Sequence, residues 1–272
     1  MNIDFTGRAA IVTGGAKGIG EATARKLAAL GAAVAIFDVD RSAGEKTAAS
    51  IAKSGATCDF FPCNVSISAE VSQATDAAAK KYGGIDVLVS NAGIQLYGDA
   101  QTTTEEEWDR LMGINLKGCF LASKFAVAHM LGRGGGAIVI VGSVQSMTAI
   151  SNSIAYVASK HGLLGLTRAM SLDYAQKGIR VNCVCPGAID TPMLRWAASL
   201  ADDPEKVMET CNRMHPLGRV GKSEEVADAI VYLASPMASF ITGAALVVDG
   251  GMLVPAGGMG LQEGGTGAAT RK

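Results

Sequence analysis

Tyr156 and Lys160 stand four residues apart, in a segment whose apolar residues recur at helical spacing through Leu163, Leu166 and Met170. On a helix, two such side chains project from one face, about one turn apart. A phenol ionises only at about pH 10, so a fixed ammonium beside it favours the phenolate. The spacing predicts a pair that can exchange a proton with a ligand. It is also typical of a half-buried ring beside a solvated lysine, and the rest of the chain decides between the two.

The composition excludes several classes of protein. The 24 basic and 25 acidic side chains nearly balance, which disfavours nucleic-acid and membrane partners and favours a small ligand. Six cysteines without CxxC spacing and three histidines indicate neither a disulfide framework nor a metal site. The N-terminus lacks the pattern of a signal peptide, and no uninterrupted apolar run approaches about 18 residues. We therefore expect a cytoplasmic protein.

A glycine-rich turn, residues 14–20, follows the apolar run 9–13 and precedes a helical pattern. Glycines let the backbone approach a pyrophosphate, and the helix N-terminus offers unpaired N–H groups. The alternative is a tight turn that needs glycine for its geometry alone. A second apolar run, 33–37, ends at Asp38, 18 residues beyond Gly20, about where a carboxylate binds an adenosine ribose. This context favours dinucleotide binding.

Strand and helix patterns alternate along residues 1–255, which we interpret as one domain. Further strands are predicted over 57–62, 86–90, 137–141, 180–185 and 244–248, and helices over 42–53, 68–82, 104–130 and 223–234, besides the helix that carries Tyr156. Such alternation predicts a mostly parallel sheet with helices on both faces. Residues 188–222 interrupt the rhythm and are predicted to be a substrate lid. The Gly-rich tail, 256–272, is expected to be mobile or ordered only against another subunit.

Polar residues stand at two predicted strand ends and inside one predicted helix. Residues 91–93 and Ser143 follow strand ends, and Asn115 interrupts a predicted helix, where asparagine is unfavourable. Together with the pair above, these motifs resemble the short-chain dehydrogenase/reductase (SDR) family over residues 5–252. The motifs that carry the resemblance are Thr13-Gly14-Gly15-Ala16-Lys17-Gly18-Ile19-Gly20, Asn91-Ala92-Gly93, Asn115, Ser143, Tyr156-Val157-Ala158-Ser159-Lys160 and Pro186-Gly187.

The resemblance implies a Rossmann-type, doubly wound α/β fold with a seven-stranded parallel sheet, and reversible hydride transfer between a nicotinamide and an alcohol or ketone. It implies that Tyr156 is the acid/base and that Lys160 favours the phenolate and holds the nicotinamide ribose. Ser143 would bind the substrate oxygen, and Asn115 would anchor a water through its backbone. The implied cofactor-binding residues are Gly14, Lys17, Gly18, Ile19, Gly20, Asp38, Asn64, Val65, Asn91, Ala92, Gly93, Tyr156, Lys160, Pro186, Gly187, Ile189 and Thr191.

Two positions depart from the family pattern. Ser90 precedes Asn91 where asparagine is common, and Asn64 replaces the usual aspartate that contacts adenine. An amide oxygen can still accept a bond from the adenine amino group. Asp38 would repel a 2′-phosphate, whereas Lys17 is a basic residue of the kind that NADP-preferring relatives carry. Because a flexible lysine can turn into water at little cost, Asp38 predicts NAD.

The substrate is predicted to be small and polar: a sugar, a polyol or a hydroxy or keto sugar acid. Arg195 or Arg213 is expected to bind a substrate carboxylate, and Gln145 and Asn152 are expected to bind hydroxyls. The alternative is that the arginines pair with acidic residues at 202–205 of the same lid. A 3-oxoacyl-carrier reductase and a dinucleotide sensor without turnover are the competing functions. The resemblance also implies a homotetramer or a dimer.

Overall fold

The computed structural model describes residues 3–254. Its strands are β1 (Ala9–Thr13), β2 (Ala33–Asp38), β3 (Cys58–Pro62), β4 (Val87–Ser90), β5 (Gly136–Val141), β6 (Ile179–Pro186), β7 (Ile189–Asp190), β8 (Gly221–Lys222) and β9 (Ala245–Val248). Its α-helices are α1 (Gly18–Ala29), α2 (Arg41–Ala52), α3 (Ser68–Tyr82), α4 (Glu105–Met112), α5 (Gly118–Gly132), α6 (Ile154–Tyr174), α7 (Pro192–Ser199), α8 (Pro204–Arg213) and α9 (Ser223–Ala234).

Seven strands form one parallel sheet in the order β3-β2-β1-β4-β5-β6-β9. The central strands are buried on both faces, as expected where helices cover a parallel sheet. Ile11 belongs to the core that α3, α5 and α6 build on one face. Val12, the next residue, belongs to the core that α1, α2 and α9 build on the other. The fold is the predicted Rossmann-type sheet.

The order of the strands reverses at β1, which pairs with β2 on one side and with β4 on the other. Ligands of doubly wound sheets bind where the order reverses, outside the carboxyl ends of the strands. Thr13 is in register with Ser90, so the glycine turn after β1 and residues 91–93 after β4 leave the sheet side by side.

Most predicted elements have the expected bounds, and α3 and α9 match residue for residue. The helix predicted over 104–130 differs, because a π-helical turn, Gly113–Lys117, separates α4 from α5. The whole segment, Glu105–Gly132, is long and apolar enough to cross a membrane by length and composition alone. Half of its most apolar window is buried in the protein. The predicted tail, 256–272, lies outside the described residues.

Candidate active site

The predicted proton-transfer pair lies on one face of α6. Lys160 is buried, and its Nζ donates a hydrogen bond to the carbonyl of Val141, the last residue of β5, at 3.0 Å. The same nitrogen lies 5.4 Å from the centroid of the Tyr156 ring. A buried ammonium needs partners to offset its desolvation, and the strand-end carbonyl supplies one. The sheet therefore holds the positive charge beside the phenol.

Asn115 lies in the π-helical turn and ties three elements together. Its Oδ1 accepts from the backbone N–H of Ile94 at 2.8 Å, and its Nδ2 donates to the Ile94 carbonyl at 2.9 Å and to Ser159 Oγ at 3.2 Å. The side chain thus joins the helix pair α4–α5 to the loop after β4 and to α6. These bonds explain why a polar side chain is present inside an apolar helix. Single π-helical turns are also frequent at functional sites.

Ser143 follows β5 and starts a short 3₁₀ helix, Val144–Ser146. Its Oγ accepts from the backbone N–H of Gln145 at 3.1 Å. As the acceptor of this bond, the hydroxyl keeps its own proton for donation to a ligand. Ser143, Tyr156 and Lys160 all line one cavity of about 550 Å³.

Most of the predicted site residues line this cavity, and the others lie outside its lining. The predicted residues that line it are Gly14, Lys17, Gly18, Ile19, Asn91, Ala92, Gly93, Ser143, Gln145, Tyr156, Lys160, Pro186, Gly187, Ile189 and Thr191. The predicted residues outside its lining are Gly20, Asp38, Asn64, Val65, Asn115, Asn152, Arg195 and Arg213.

The glycine turn forms the cradle that a pyrophosphate needs. Gly14 has φ +62°, and a Cβ there would lie 2.8 Å from the Cα of Ala92. A Cβ on Gly20 would collide with the carbonyl oxygen of Gly14, so this residue is glycine for packing. Lys17 precedes α1 without a side-chain cap, which leaves N–H groups of the first turn available to an anion. These features fit a dinucleotide.

Two aspartates, Asp38 at the end of β2 and Asp40 just after it, lie beside the glycine turn. Asp38 accepts from the backbone N–H groups of Ala16 at 3.1 Å and of Asp40 at 3.0 Å. Asp40, which sequence reasoning missed, forms a 2.6 Å ion pair with Lys17 and accepts from Ala43 N–H at the start of α2. The bond to Asp40 raises the pKa of Lys17, and the same bond lowers the pKa of Asp40. Lys17 is therefore held by a second carboxylate.

Asn64 is engaged differently from the prediction. Its Oδ1 accepts from both the backbone N–H of Ser66, at 3.1 Å, and the Ser66 hydroxyl, at 2.7 Å. A carbonyl oxygen has two lone pairs, and these two bonds use both. The predicted acceptance of an adenine amino group by this oxygen is therefore not available in this conformation.

The predicted carboxylate-binding arginines lie outside the lining of the cavity. Arg195 makes two 2.8 Å bonds to Asp190, a neighbour outside the acidic run that the sequence suggested as its alternative partner. Arg213 is exposed and lies 3.9 Å from Glu209 on its own helix. Asn152 also lies outside, in a turn where it adopts φ +61°. This geometry does not support the substrate-binding roles predicted for Asn152, Arg195 and Arg213.

Apolar side chains form the substrate half of the cavity, and sequence reasoning missed most of them. They are Tyr97, Ile150, Met193, Leu194, Ala197, Met214 and Met252. Tyr97 stacks on Trp196 of α7, with centroids 6.2 Å apart and planes at 23°. Burial raises the pKa of Tyr97, and the neighbouring Tyr156 acts in the same direction. The aromatic pair joins the loop after β4 to the lid.

His215 fastens the other end of the lid. This residue is buried, its Nδ1 lies 2.6 Å from the carbonyl of Cys211, and its Nε2 accepts from the backbone N–H of Ala188 at 3.1 Å. The two partners define the tautomer with the proton on Nδ1. A Cβ on Gly187 would lie 2.7 Å from the same Nε2, so the imidazole occupies the space that glycine leaves. The segment that follows α8 is thus joined to the strand end that lines the cavity.

Comparison with known proteins places this site in context. A family model described as enoyl-(acyl carrier protein) reductase matches residues 14–253. The chain is 42% identical to cis-4-hydroxycyclohexanecarboxylate dehydrogenase of Sinomonas cyclohexanicum, over 92% of this chain and 98% of that protein. It is 39% identical to 2-(S)-hydroxypropyl-CoM dehydrogenase 3 of Xanthobacter autotrophicus, over 88% and 93% respectively. The solved structure of ligand-free aldohexose dehydrogenase from Thermoplasma acidophilum has a TM-score of 0.87 and 39% identity, covering 94% and 98%.

The similarity spans nearly the whole chain and is accompanied by the expected grouping of Ser143, Tyr156 and Lys160 around one cavity. The two curated relatives are named for secondary alcohols. The chain belongs to the short-chain dehydrogenase/reductase family, whose dehydrogenases exchange hydride between a nicotinamide cofactor and an alcohol or ketone.

Proposed function

We propose that the protein is an NAD-dependent dehydrogenase of small ring-shaped secondary alcohols and a reductase of the matching ketones. The observation that carries the proposal is the lining of the cavity, which combines Ser143, Tyr156 and Lys160 with apolar side chains of the lid. NAD, held by the residues of the glycine turn and by Lys160, would supply the acceptor for the hydride of the alcohol carbon. The chain itself takes the alcohol proton at the Tyr156 oxygen, while Ser143 Oγ donates to the substrate oxygen and holds it in place.

The residues around the glycine turn support the choice of NAD. Asp38 and Asp40 place two carboxylates where a 2′-phosphate would add negative charge, and Asp40 already neutralises Lys17. A phosphate would have to displace Asp40 from this lysine and lie beside Asp38. Both changes disfavour NADP.

The substrate half supports an apolar ring more than the sugar acid that the sequence suggested. Neither Arg195 nor Arg213 lines the cavity, so neither is placed to bind a carboxylate there. Met193, Leu194 and Met252 offer dispersion contacts instead, and methionine adapts to irregular shapes. A relative with 42% identity is named for an alcohol on a cyclohexane ring.

An assay with both cofactors and a panel of alcohols tests this proposal. Production of the reduced nicotinamide should be fastest with NAD and cyclohexanol-type substrates, with glucose and gluconate as the polar comparisons and a 3-oxoacyl thioester tested in the reverse direction. The best kcat/KM with gluconate would restore the sugar-acid hypothesis. The best value with the thioester and NADPH would favour the carrier reductase. Absence of turnover with every substrate, despite NAD binding, would favour the sensor.

Replacement of Asp40 by Ser should raise the use of NADP. Ser can still accept from Ala43 N–H at the helix N-cap, so the change removes the charge and spares the cap. With Lys17 released, kcat/KM for NADP relative to NAD should rise about tenfold. The control is the same substitution in a Lys17→Met background, where the gain should largely disappear. An equal gain in both backgrounds would show that Asp40 acts without Lys17.

We also propose that the protein forms a homotetramer or a dimer. Phe120 on α5 and Leu172 on α6 are exposed, the latter by 82%, although apolar side chains on core helices are normally covered. Light scattering at micromolar concentration should report a multiple of the 27.8 kDa chain. Leu172→Asp should shift the protein toward smaller species. A monomeric wild-type protein would contradict the proposal.

A further inference from the structure

Gln145 lines the cavity beside Ser143 and has no part in the proton transfer described above. The residue is only 6% exposed, and its Oε1 is enclosed without a hydrogen-bond partner among residues 3–254. A buried acceptor without a partner is costly, and native proteins rarely retain one without a reason. The amide is therefore available to a ligand.

The backbone fixes where this amide starts. Gln145 N–H donates to Ser143 Oγ at 3.1 Å, and this bond caps the start of the short helix Val144–Ser146. The Gln145 side chain therefore begins two residues from Ser143, whose hydroxyl donates to the reacting oxygen of the substrate. The terminal torsion of glutamine has a broad energy profile, so the amide can turn either its carbonyl or its NH₂ group toward a ligand.

The surroundings of Gln145 make its chemistry distinctive. The cavity that it lines is also lined by the apolar side chains of Ile150, Met193 and Met214. A ligand hydroxyl placed against those side chains would lose its hydrogen bonds to water without replacement. The same hydroxyl placed near Ser143 would find the Gln145 amide.

We propose that Gln145 binds a second oxygen function of the substrate, so that the preferred substrates are ring alcohols with a hydroxyl or keto group close to the reacting carbon. The inference rests on the proposed ring-alcohol function and specifies it further. A site that hydrogen-bonds a substrate hydroxyl rejects an analogue without it, because the buried amide is then left unpaired.

The test compares cyclohexanol with trans- and cis-cyclohexane-1,2-diol at saturating NAD. The wild-type protein should prefer one of the diols over cyclohexanol by about tenfold or more in kcat/KM. Gln145→Met, which keeps length and removes the amide, should reduce this ratio to about one. Asn152→Gly is the matched control, because it removes an amide outside the cavity and glycine tolerates the backbone angle of that turn. Its ratio should equal that of the wild type.

Each outcome bears on the inference. Equal use of cyclohexanol and both diols by the wild type would overturn it while leaving the ring-alcohol function standing. A diol preference that survives in Gln145→Met would also overturn it. Turnover of acyclic alcohols alone would remove the ring-alcohol function and the inference together. Because the ratio compares two substrates of the same variant, a smaller amount of folded protein does not change it. Gln145→Leu is a second variant without the amide, and its affinity for NADH shows whether its cofactor site is intact.

Discussion

Tyr156→Phe should lower kcat by a factor of about 10² to 10⁴, with NAD still bound. The substitution removes the phenolic oxygen and keeps the ring against which Lys160 lies. In the proposed reaction the alcohol proton has no other acceptor in contact with it, since Ser143 acts as a hydrogen-bond donor. Stopped-flow or steady-state formation of NADH measures the loss, and quenching of protein fluorescence by NADH measures the retained affinity.

The matched control is Tyr174→Phe, at the other end of the same helix α6 and outside the cavity lining. Its kcat should stay within about twofold of the wild type, because the half-buried ring is kept and only a hydroxyl away from the site is removed. Retention of most activity by Tyr156→Phe would assign the proton transfer to another group. A parallel loss in both variants would indicate damage to the helix instead.

Lys160→Met should reduce kcat by about 10² or more and weaken NAD binding about tenfold. The ammonium is buried and donates to the Val141 carbonyl, which fixes its position beside Tyr156. One side chain is proposed to favour the phenolate and to hold the nicotinamide ribose, and both functions should fail together. Methionine preserves the length of the side chain, which limits the change in packing.

Lys124→Met, an exposed lysine on α5, is the control for general loss of charge and should leave both constants unchanged. A fall in kcat without a change in NAD affinity would separate the two proposed functions of Lys160. Thermal unfolding of both variants shows whether either substitution alters the stability of the fold.

The fold could be predicted from the sequence because buried parallel strands are nearly continuous apolar runs. Residues 137–141, for example, became β5 with one further residue at its start. The grouping around Tyr156 could also be predicted, since Ser143 and the start of α6, which carries Tyr156, both follow β5 at the carboxyl edge of the sheet. Here local pattern and global topology agree, which is typical of sequences that specify one structure.

The lid could not be predicted in the same way. Residues 188–222 form two helices and a two-stranded sheet, and which side chains reach the cavity depends on how these pieces are turned. Arg195 lies five residues beyond Asp190, a spacing that becomes a contact only because β7 ends where α7 begins. Asn64 could not be assigned either, because its bonds to Ser66 depend on a turn with no distinctive pattern.

The π-helical turn at Gly113–Lys117 determines which side chains of α4 and α5 lie on the same face. Successive residues of an α-helix are rotated by about 100°, so a turn that holds one extra residue sets the rotation of α4 relative to α5. Deleting one residue there would restore regular α-helix and rotate one half by about 100°. Either Leu111 would leave the core or Asn115 would leave Ile94. Single-residue deletions should therefore be far less tolerated in this helix than point substitutions on its exposed face.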